Sequence, residues 1–225
     1  MLSEQDSWAR RLTQNAQKPS SQQAKTIGLT GGIGSGKSTF AKAFLAAQPN
    51  WTLVDADQIS RALTAPGGEA LPAIAQTFGE ILIIDGQLDR AALAQAIFTN
   101  PEQKNALENI LHPLIRAQTE QQIQQAHQRG QHVLLDVPLM FETGYDDLCT
   151  QIITITAPID TRIKRLQERG ITPSDAQKRI QAQLADEAKL ARSHWQVNNG
   201  GKIESLENNA SYLSKLLAHA TSDKK

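Results

Sequence analysis

Short apolar runs alternate with longer stretches of helical periodicity along this chain. Four runs are rich in aliphatic or β-branched residues and a fifth is weaker: residues 25–30, 51–54, 132–137, 151–156 and 195–197. Strands that alternate with helices are typical of a parallel sheet wrapped by crossover helices. The pattern therefore predicts an α/β fold.

The interval between the second and third apolar runs is too long for one crossover. It contains several helical patterns with recognisable ends: Asp89 can cap one helix, and Asn100 followed by Pro101 can begin another. Pro113 is expected to bend or split that later helix. Residues 60–129 are therefore predicted to form a helical lobe inserted into the α/β core.

A second helical insert follows the fourth apolar run, over residues 159–189. We interpret it as a lid. The first residues, 1–24, are polar and have no strong pattern, so we expect a poorly ordered extension before a single domain over residues 25–225. The rest of that domain is its predicted core, which consists of residues 25–59, 130–158 and 190–220.

Composition restricts the classes of function. The chain has 225 residues, with 23 Lys and Arg against 23 Asp and Glu, so its formal net charge is zero. This balance argues against a general nucleic-acid or membrane-surface binder. No apolar run approaches the ~20 residues needed to cross a bilayer, the N-terminus does not resemble a secretory signal, and Cys149 is the single cysteine. We expect a cytoplasmic protein without nucleic-acid or membrane partners.

Residues 31–38, GGIGSGKS, match the phosphate-binding pattern G-x-x-x-x-G-K-S/T between a predicted strand and a predicted helix. Backbone amides of such a loop and a helix N-terminus together form an anion site. Lys37 should reach the β- and γ-phosphates of a nucleoside triphosphate, and the Ser38 hydroxyl should hold Mg²⁺. The predicted nucleotide-binding residues are Gly32, Ile33, Gly34, Ser35, Gly36, Lys37, Ser38 and Thr39.

Carboxylates at strand ends suggest which reaction follows. Phosphoryl transfer to an alcohol needs a group that orients the hydroxyl and accepts its proton. Asp55 and Asp57 follow the second strand, where ligands of parallel sheets bind, and either could fill this role. Asp136 ends the third strand as a Walker-B-like carboxylate, but Val137 follows where many ATPases carry Glu. A hydrolysing motor is therefore less favoured.

Three arginines of the second insert, Arg162, Arg165 and Arg169, have a spacing that places them on one helical face. A charged face is often merely solvated. Because this insert follows the fourth strand of the core, we favour a lid whose arginines, Arg165 in particular, neutralise the transferring phosphoryl group and exclude water.

At this level of detail the chain resembles the dephospho-CoA kinase family over most of residues 26–215. The motifs that carry the resemblance occur in order: IGLTGGIGSGKST, VDAD, LDRAAL, HPLI, DVPLMFE, RI.AQ and NNGG. The resemblance implies a three-layer P-loop fold with a five-stranded parallel sheet, a helical substrate lobe and a lid. It also implies transfer of the γ-phosphoryl group of ATP, with Mg²⁺, to the ribose 3′-hydroxyl of dephospho-CoA.

The resemblance also implies roles for individual residues. Asp57 corresponds to the proposed catalytic carboxylate of the family. The other two predicted catalytic residues are Lys37, from the phosphate-binding pattern, and Arg165, from the arginine spacing. The lobe that carries Arg90 and His112 would surround the CoA portion of the substrate, and Asn198 would frame adenine. The implied substrate contacts are Asp55, Asp57, Arg90, His112 and Asp136.

Two other readings remain open from the sequence. The first is another P-loop kinase, acting on a nucleoside monophosphate or a small polyol. The second is a nucleotide-dependent switch, although the Asn-Lys-x-Asp motif usual in GTP-specific switches does not occur in the sequence. We expect a small-molecule substrate as the partner, and a monomer or weak homo-oligomer.

Overall fold

The structure is a computed structural model that describes residues 9–12, 24–98 and 100–219. The chain divides into two compact units: Met1–Val54 with Gln125–Lys225, and Asp55–Gln124. The strands are β1 (Ala9–Arg11), β2 (Thr26–Thr30), β3 (Trp51–Asp55), β4 (Ile83–Ile84), β5 (Gln87–Leu88), β6 (His132–Asp136), β7 (Gln151–Thr156) and β8 (Trp195–Asn198). The helices are α1 (Lys37–Ala46), α2 (Ala56–Leu63), α3 (Leu71–Phe78), α4 (Arg90–Phe98), α5 (Pro101–Gln128), α6 (Ile159–Gln167), α7 (Pro173–Gln181), α8 (Asp186–Ala191) and α9 (Ile203–His219).

The main sheet contains six strands in the order β1-β8-β7-β2-β6-β3. Strand β2 is parallel to both β6 and β7, and β7 is parallel to β8. The predicted parallel α/β core is therefore confirmed, including the weakly predicted last strand. Gln196 of that strand is only half-buried, and its Nε2 donates to Thr156 Oγ1 at 3.2 Å, which satisfies its polar side chain.

The N-terminal residues differ from expectation. Residues 9–12 were placed in a poorly ordered extension, yet β1 pairs antiparallel with β8, with Ala9 opposite Val197 and Arg11 opposite Trp195. The Arg11 guanidinium also lies 5.6 Å from the centre of the Trp195 ring. An edge strand offers unpaired backbone groups to any extended segment, whatever its side-chain pattern. The rest of the predicted extension, apart from residue 24, lies outside the described residues.

The core of the first unit surrounds β2. All five residues of this strand are buried, as expected for a central parallel strand covered on both faces. Helices α1 and α9 supply much of the covering, through Phe40 and Phe44 of α1 and Leu213 of α9. This packing fixes the end of β2, and with it the start of the glycine-rich loop.

The second unit is mainly helical and contains α2 to α5 and the β4–β5 hairpin. The predicted helix starts are confirmed: Asp89 Oδ1 accepts from the Ala91 and Ala92 amides, and Asn100 Oδ1 from those of Glu102 and Gln103. Of the two outcomes expected at Pro113, the split is wrong, because α5 continues through this residue, and the bend stays a prediction. The loss of one backbone hydrogen bond does not end a helix of 28 residues.

The bounds of this unit are close to those predicted for the helical lobe, which began at residue 60 and ended at 129. Within the described part of the chain, no helix is long and apolar enough to cross a membrane.

Candidate active site

The glycine-rich loop joins β2 to α1 and requires glycine for two physical reasons. At Gly36, φ is 100°, a conformation that side chains disfavour, and a Cβ there would overlap the Asn199 carboxamide. At Gly32, a Cβ would overlap the Arg162 guanidinium. The loop is thus held in close contact with two polar side chains from distant parts of the sequence.

The start of α1 presents amides without helical partners. The Phe40 amide donates to Gly36 O at 3.1 Å, so the amides of Lys37, Ser38 and Thr39 have no carbonyl one turn earlier in the helix. The first turn carries no acidic residue that would compete for them. Lys37 is half-buried and Ser38 is exposed. The helix N-terminus is therefore arranged to bind an anion.

Side chains from other parts of the chain donate hydrogen bonds to the carbonyls of the glycine-rich loop. Arg162 Nε donates to Ile33 O at 2.8 Å, and Asn199 Nδ2 donates to Ser35 O at 2.7 Å. In a trans peptide the N–H points opposite to its C=O. The amides of Gly34 and Gly36 therefore point away from these side chains, as a phosphate-binding loop requires.

The predicted row of arginines is only partly observed. Helix α6 ends at Gln167, so Arg169 lies beyond it and is exposed. Arg165 is half-buried and donates to three carbonyls, Gly34 O at 3.2 Å, Ser35 O at 3.3 Å and Asn199 O at 3.1 Å. The Arg165 guanidinium thus braces the loop. The spacing alone could not show this, because it does not reveal which face of the helix is buried.

Arg162 is the more deeply buried arginine, with 4% of its surface exposed. Burial lowers the pKa of its guanidinium, and the Asp186 carboxylate, 3.4 Å from Nη1, raises it. The ion pair and the bond to Ile33 O offset part of the cost of removing this charge from water.

Asn198 and Asn199 have different positions. Asn198, the predicted adenine contact, is exposed, and its Oδ1 accepts from the Gly200 amide at 3.0 Å. Asn199 is buried and is the residue that reaches the loop, through Ser35 O. The pair of adjacent asparagines was a visible signal, but nothing in the sequence showed which of the two contacts the loop.

Asp136 ends β6 and is half-buried. It lies beside Leu29 in the register of β2 and β6, one residue before the end of β2. The carboxyl ends of these neighbouring strands therefore lie at the same edge of the sheet as the start of the loop.

In the second unit, the aspartate that ends β3, Asp55, and the one two residues later, Asp57, have different environments. Asp55 Oδ1 accepts from the Asp57 amide at 2.9 Å and the Gln58 amide at 3.1 Å, so Asp55 is the N-cap of α2. Asp57 lies in the first turn and is exposed. Among the described residues, none donates a hydrogen bond to its carboxylate. Asp57 therefore retains a carboxylate that is available to a substrate.

The other two site residues predicted in this unit, Arg90 and His112, have different surroundings. Arg90 Nη2 donates to Thr64 Oγ1 at 2.8 Å and to Thr64 O at 3.2 Å, which ties the start of α4 to the end of α2. His112 is exposed within α5.

Comparison with known proteins assigns the chain to a family. A family model described as dephospho-CoA kinase matches residues 25–205. The chain belongs to the dephospho-CoA kinase family. The match covers the glycine-rich loop, the aspartates Asp55 and Asp57 and the asparagines Asn198 and Asn199, so the resemblance seen in the sequence is confirmed.

Relatives of this family are similar over nearly their whole length. The dephospho-CoA kinase of Corynebacterium glutamicum is 40% identical over 190 residues, which cover 83% of this chain and 94% of that protein. The Escherichia coli enzyme is 40% identical over 195 residues, covering 86% and 91% of the two chains. The activity is therefore ATP-dependent phosphorylation of dephospho-CoA in coenzyme A biosynthesis, and nothing favours the other P-loop kinases.

Solved structures agree with the fold. Dephospho-CoA kinase from Campylobacter jejuni has a TM-score of 0.66 and 26% identity, covering 86% of this chain and 96% of that one. A protein from Thermus thermophilus has a TM-score of 0.71 and 31% identity, covering 87% and 97%. The predicted P-loop kinase fold is confirmed.

One charged group near the loop was missed by the sequence reasoning. Lys189 of α8 is fully buried, with Nζ 3.9 Å from Glu142 Oε1. Burial lowers the pKa of its ammonium, while the carboxylates of Glu142 and then Asp186 raise it. A lysine in a polar helical segment gives no sequence signal of burial, because lysines are mostly exposed.

Proposed function

We propose that this chain transfers the γ-phosphoryl group of ATP to the 3′-hydroxyl of the ribose of dephospho-CoA, and that the loop after β2 holds the nucleotide. The observation that carries the proposal is the orientation of the loop, whose carbonyls bind Arg162, Arg165 and Asn199 while amides at the start of α1 stay available. A triphosphate is the polyanion that such a loop binds.

Residues 32–39 would bind the phosphates, with the Lys37 ammonium on the β- and γ-phosphates and the Thr39 amide near the α-phosphate. Arg165 keeps the loop in its binding conformation through Gly34 O and Ser35 O. Its catalytic contribution is thus to electrostatics and to loop geometry. Asn198, the last residue of β8, would lie beside adenine.

The donors at this site fit Mg²⁺. The ion prefers oxygen ligands and commonly takes only one or two from the protein, the rest being phosphate and water. Ser38 offers an exposed hydroxyl at the start of α1, and within the described ranges no group of three or more His, Cys, Asp or Glu could form a protein cage. When bound, Mg²⁺ neutralises charge on the phosphates.

Asp57 is our candidate for the general base that orients the 3′-hydroxyl and accepts its proton. Its exposed carboxylate, next to the capping Asp55, supports this role. Asp55 and Asp136 would line the acceptor side, and Arg90 and His112 of the helical unit would contact the CoA portion. We further propose a cytoplasmic enzyme that is a monomer or weak homo-oligomer.

The proposal is tested by coupled ADP production with ATP and Mg²⁺. Dephospho-CoA should support turnover, whereas adenosine monophosphate and shikimate should not. Phosphorus NMR of the product should show a new monoester on the ribose 3′-oxygen. Turnover only with an acceptor that lacks the pantetheine arm, or a phosphate elsewhere on dephospho-CoA, would contradict the proposal.

A further inference from the structure

The Ile33 peptide groups are held on both sides by the second insert. The Ile33 amide donates to Gln183 Oε1 at 2.8 Å, and Ile33 O accepts from Arg162 Nε at 2.8 Å. Gln183 is the last residue of RI.AQ, one of the motifs that carry the family resemblance. A position in the phosphate loop is therefore bound by a side chain that belongs to no phosphate-loop motif.

The backbone around Gln183 is fixed at two points. Helix α7 begins at a cap in which Thr172 Oγ1 accepts from the Asp175 amide, and the Gln183 amide donates to Ile180 O at 3.3 Å. The next amide, that of Leu184, donates to Glu142 Oε1 at 3.1 Å. The carboxamide thus projects from an anchored turn rather than from a free loop.

The hydrogen bond to Ile33 also fixes which way the carboxamide faces. A backbone N–H can bond only to the carboxamide oxygen, so Nε2 must occupy the other branch of the side chain. Gln183 is half-buried, and among the described residues none accepts a hydrogen bond from Nε2. Two N–H donors therefore remain available beside the loop.

The position along the loop indicates which phosphate these donors meet. The amides at the start of α1 take the α- and β-phosphates, and Lys37 reaches the β- and γ-phosphates. Ile33 precedes this part of the loop, so the order of these contacts would place it near the terminal phosphoryl group. Donors directed at a phosphoryl group whose charge is being redistributed are catalytic when they are held in place beforehand.

We propose that Gln183 is a further catalytic residue whose carboxamide bridges the Ile33 amide and an oxygen of the transferring γ-phosphoryl group. This inference rests on the proposed function, because it assumes that the loop holds ATP. Gln183 would also couple closure of the second insert to nucleotide binding, since its side chain joins the insert to the loop.

Two variants of Gln183 distinguish the role of Nε2 as a donor from the role of Oε1 as an acceptor. Gln183→Glu keeps an oxygen that can accept from the Ile33 amide but loses the donor, whereas Gln183→Met loses both. Binding of ADP and of a non-transferable ATP analogue is measured by calorimetry without acceptor. The ratio of affinities, ATP analogue over ADP, should fall roughly tenfold or more in both variants, because a hydrogen bond to a charged group is lost only with the γ-phosphate.

The matched controls are Gln181→Glu and Gln181→Met, at an exposed position two residues earlier. They should leave both affinities and turnover unchanged. Equal weakening of ADP and the ATP analogue would assign Gln183 a purely structural role and overturn the proposal, as would wild-type turnover in Gln183→Glu. If wild-type protein fails to phosphorylate dephospho-CoA while the affinity ratios change as expected, the proposed function fails and the γ-phosphate contact stands.

Discussion

At the scale of single residues, chemically identical side chains have different roles because their hydrogen bonds differ. Asp55 uses its carboxylate to cap α2, and Asp57, two residues later, does not. In the same way, Asn199 binds the loop and Asn198 closes its own turn. These pairs show that the residue type allows a role and the local backbone assigns it.

Replacing Asp57 by Asn should lower kcat roughly a hundredfold or more, because a positioned general base contributes about 10²–10⁴ to proton transfer. The KM for ATP should change little, since the carboxylate acts on the acceptor hydroxyl. Steady-state kinetics with ATP and dephospho-CoA measure both constants. The same change at Asp85, an exposed residue of the β4–β5 turn, is the control and should leave kcat at the wild-type level. Unchanged kcat in Asp57→Asn would remove this residue from the mechanism.

At the scale of elements, the glycine-rich loop depends on partners far away in sequence. Its conformation is supported from the segment after β8 and from α6, through Asn199, Arg162 and Arg165. The motif between β2 and α1 could be recognised from the sequence, because its glycines, lysine and serine are contiguous. The hydrogen bonds that hold the loop in place could not be recognised from the sequence, because bonds between residues more than a hundred positions apart leave no periodic pattern.

Asn199→Ala should destabilise the first unit by about 0.5–1.5 kcal/mol, because Ser35 O would lose its shorter hydrogen bond and keep only the one from Arg165 Nη1. The KM for ATP should rise as well, since the Ser35–Gly36 peptide would be held less firmly. Urea unfolding and ATP-dependent kinetics test both effects. Asn208→Ala, on an exposed face of α9, is the comparison and should not lower stability, because Ala favours a helix more than Asn does. A variant with wild-type stability and KM would show that this brace is dispensable.

At the scale of the whole molecule, two histidines make the stability of the main sheet depend on pH. His132 Nδ1 accepts from the Lys25 amide at 3.1 Å, and His194 Nδ1 accepts from the Ile152 amide at 3.2 Å. Burial first, and then neighbouring cations, lowers the pKa of both rings: Lys25 and His127 act on His132, and Arg11 acts on His194. Both rings must be neutral at Nδ1 to accept these bonds.

Acidification should therefore destabilise the fold. Because both pKa values are lowered on folding, the unfolded chain binds more protons below its ordinary histidine pKa of about 6.5. Their stabilising contribution is present above that pH and is lost as the pH falls through and below it. The free energy of unfolding, measured by urea titration from pH 7.5 to 5, should decrease over this range.

The double variant His132→Asn, His194→Asn should flatten this dependence, because an amide oxygen accepts a hydrogen bond without titrating in this range. His112→Asn, at an exposed position, should leave the dependence of the wild type intact. An equally steep decrease in the double variant would place the acid sensitivity in other groups.

Local sequence patterns were enough to predict the alternation of strands and helices, the phosphate-binding loop, the helix caps at Asp89 and Asn100, and the family. These features are encoded by neighbouring residues, either in hydrophobic periodicity or in contiguous motifs. They were therefore visible before any tertiary structure was known.

Four features became evident only in the folded chain: the pairing of β1 with β8, the burial of Lys189, the hydrogen bond from Asn199 to the glycine-rich loop, and the contact between Gln183 and Ile33. Each depends on segments that are distant in sequence and meet only when the sheet has formed. Burial and hydrogen-bond partners are properties of that assembled environment, whereas a residue's type and spacing are properties of the chain.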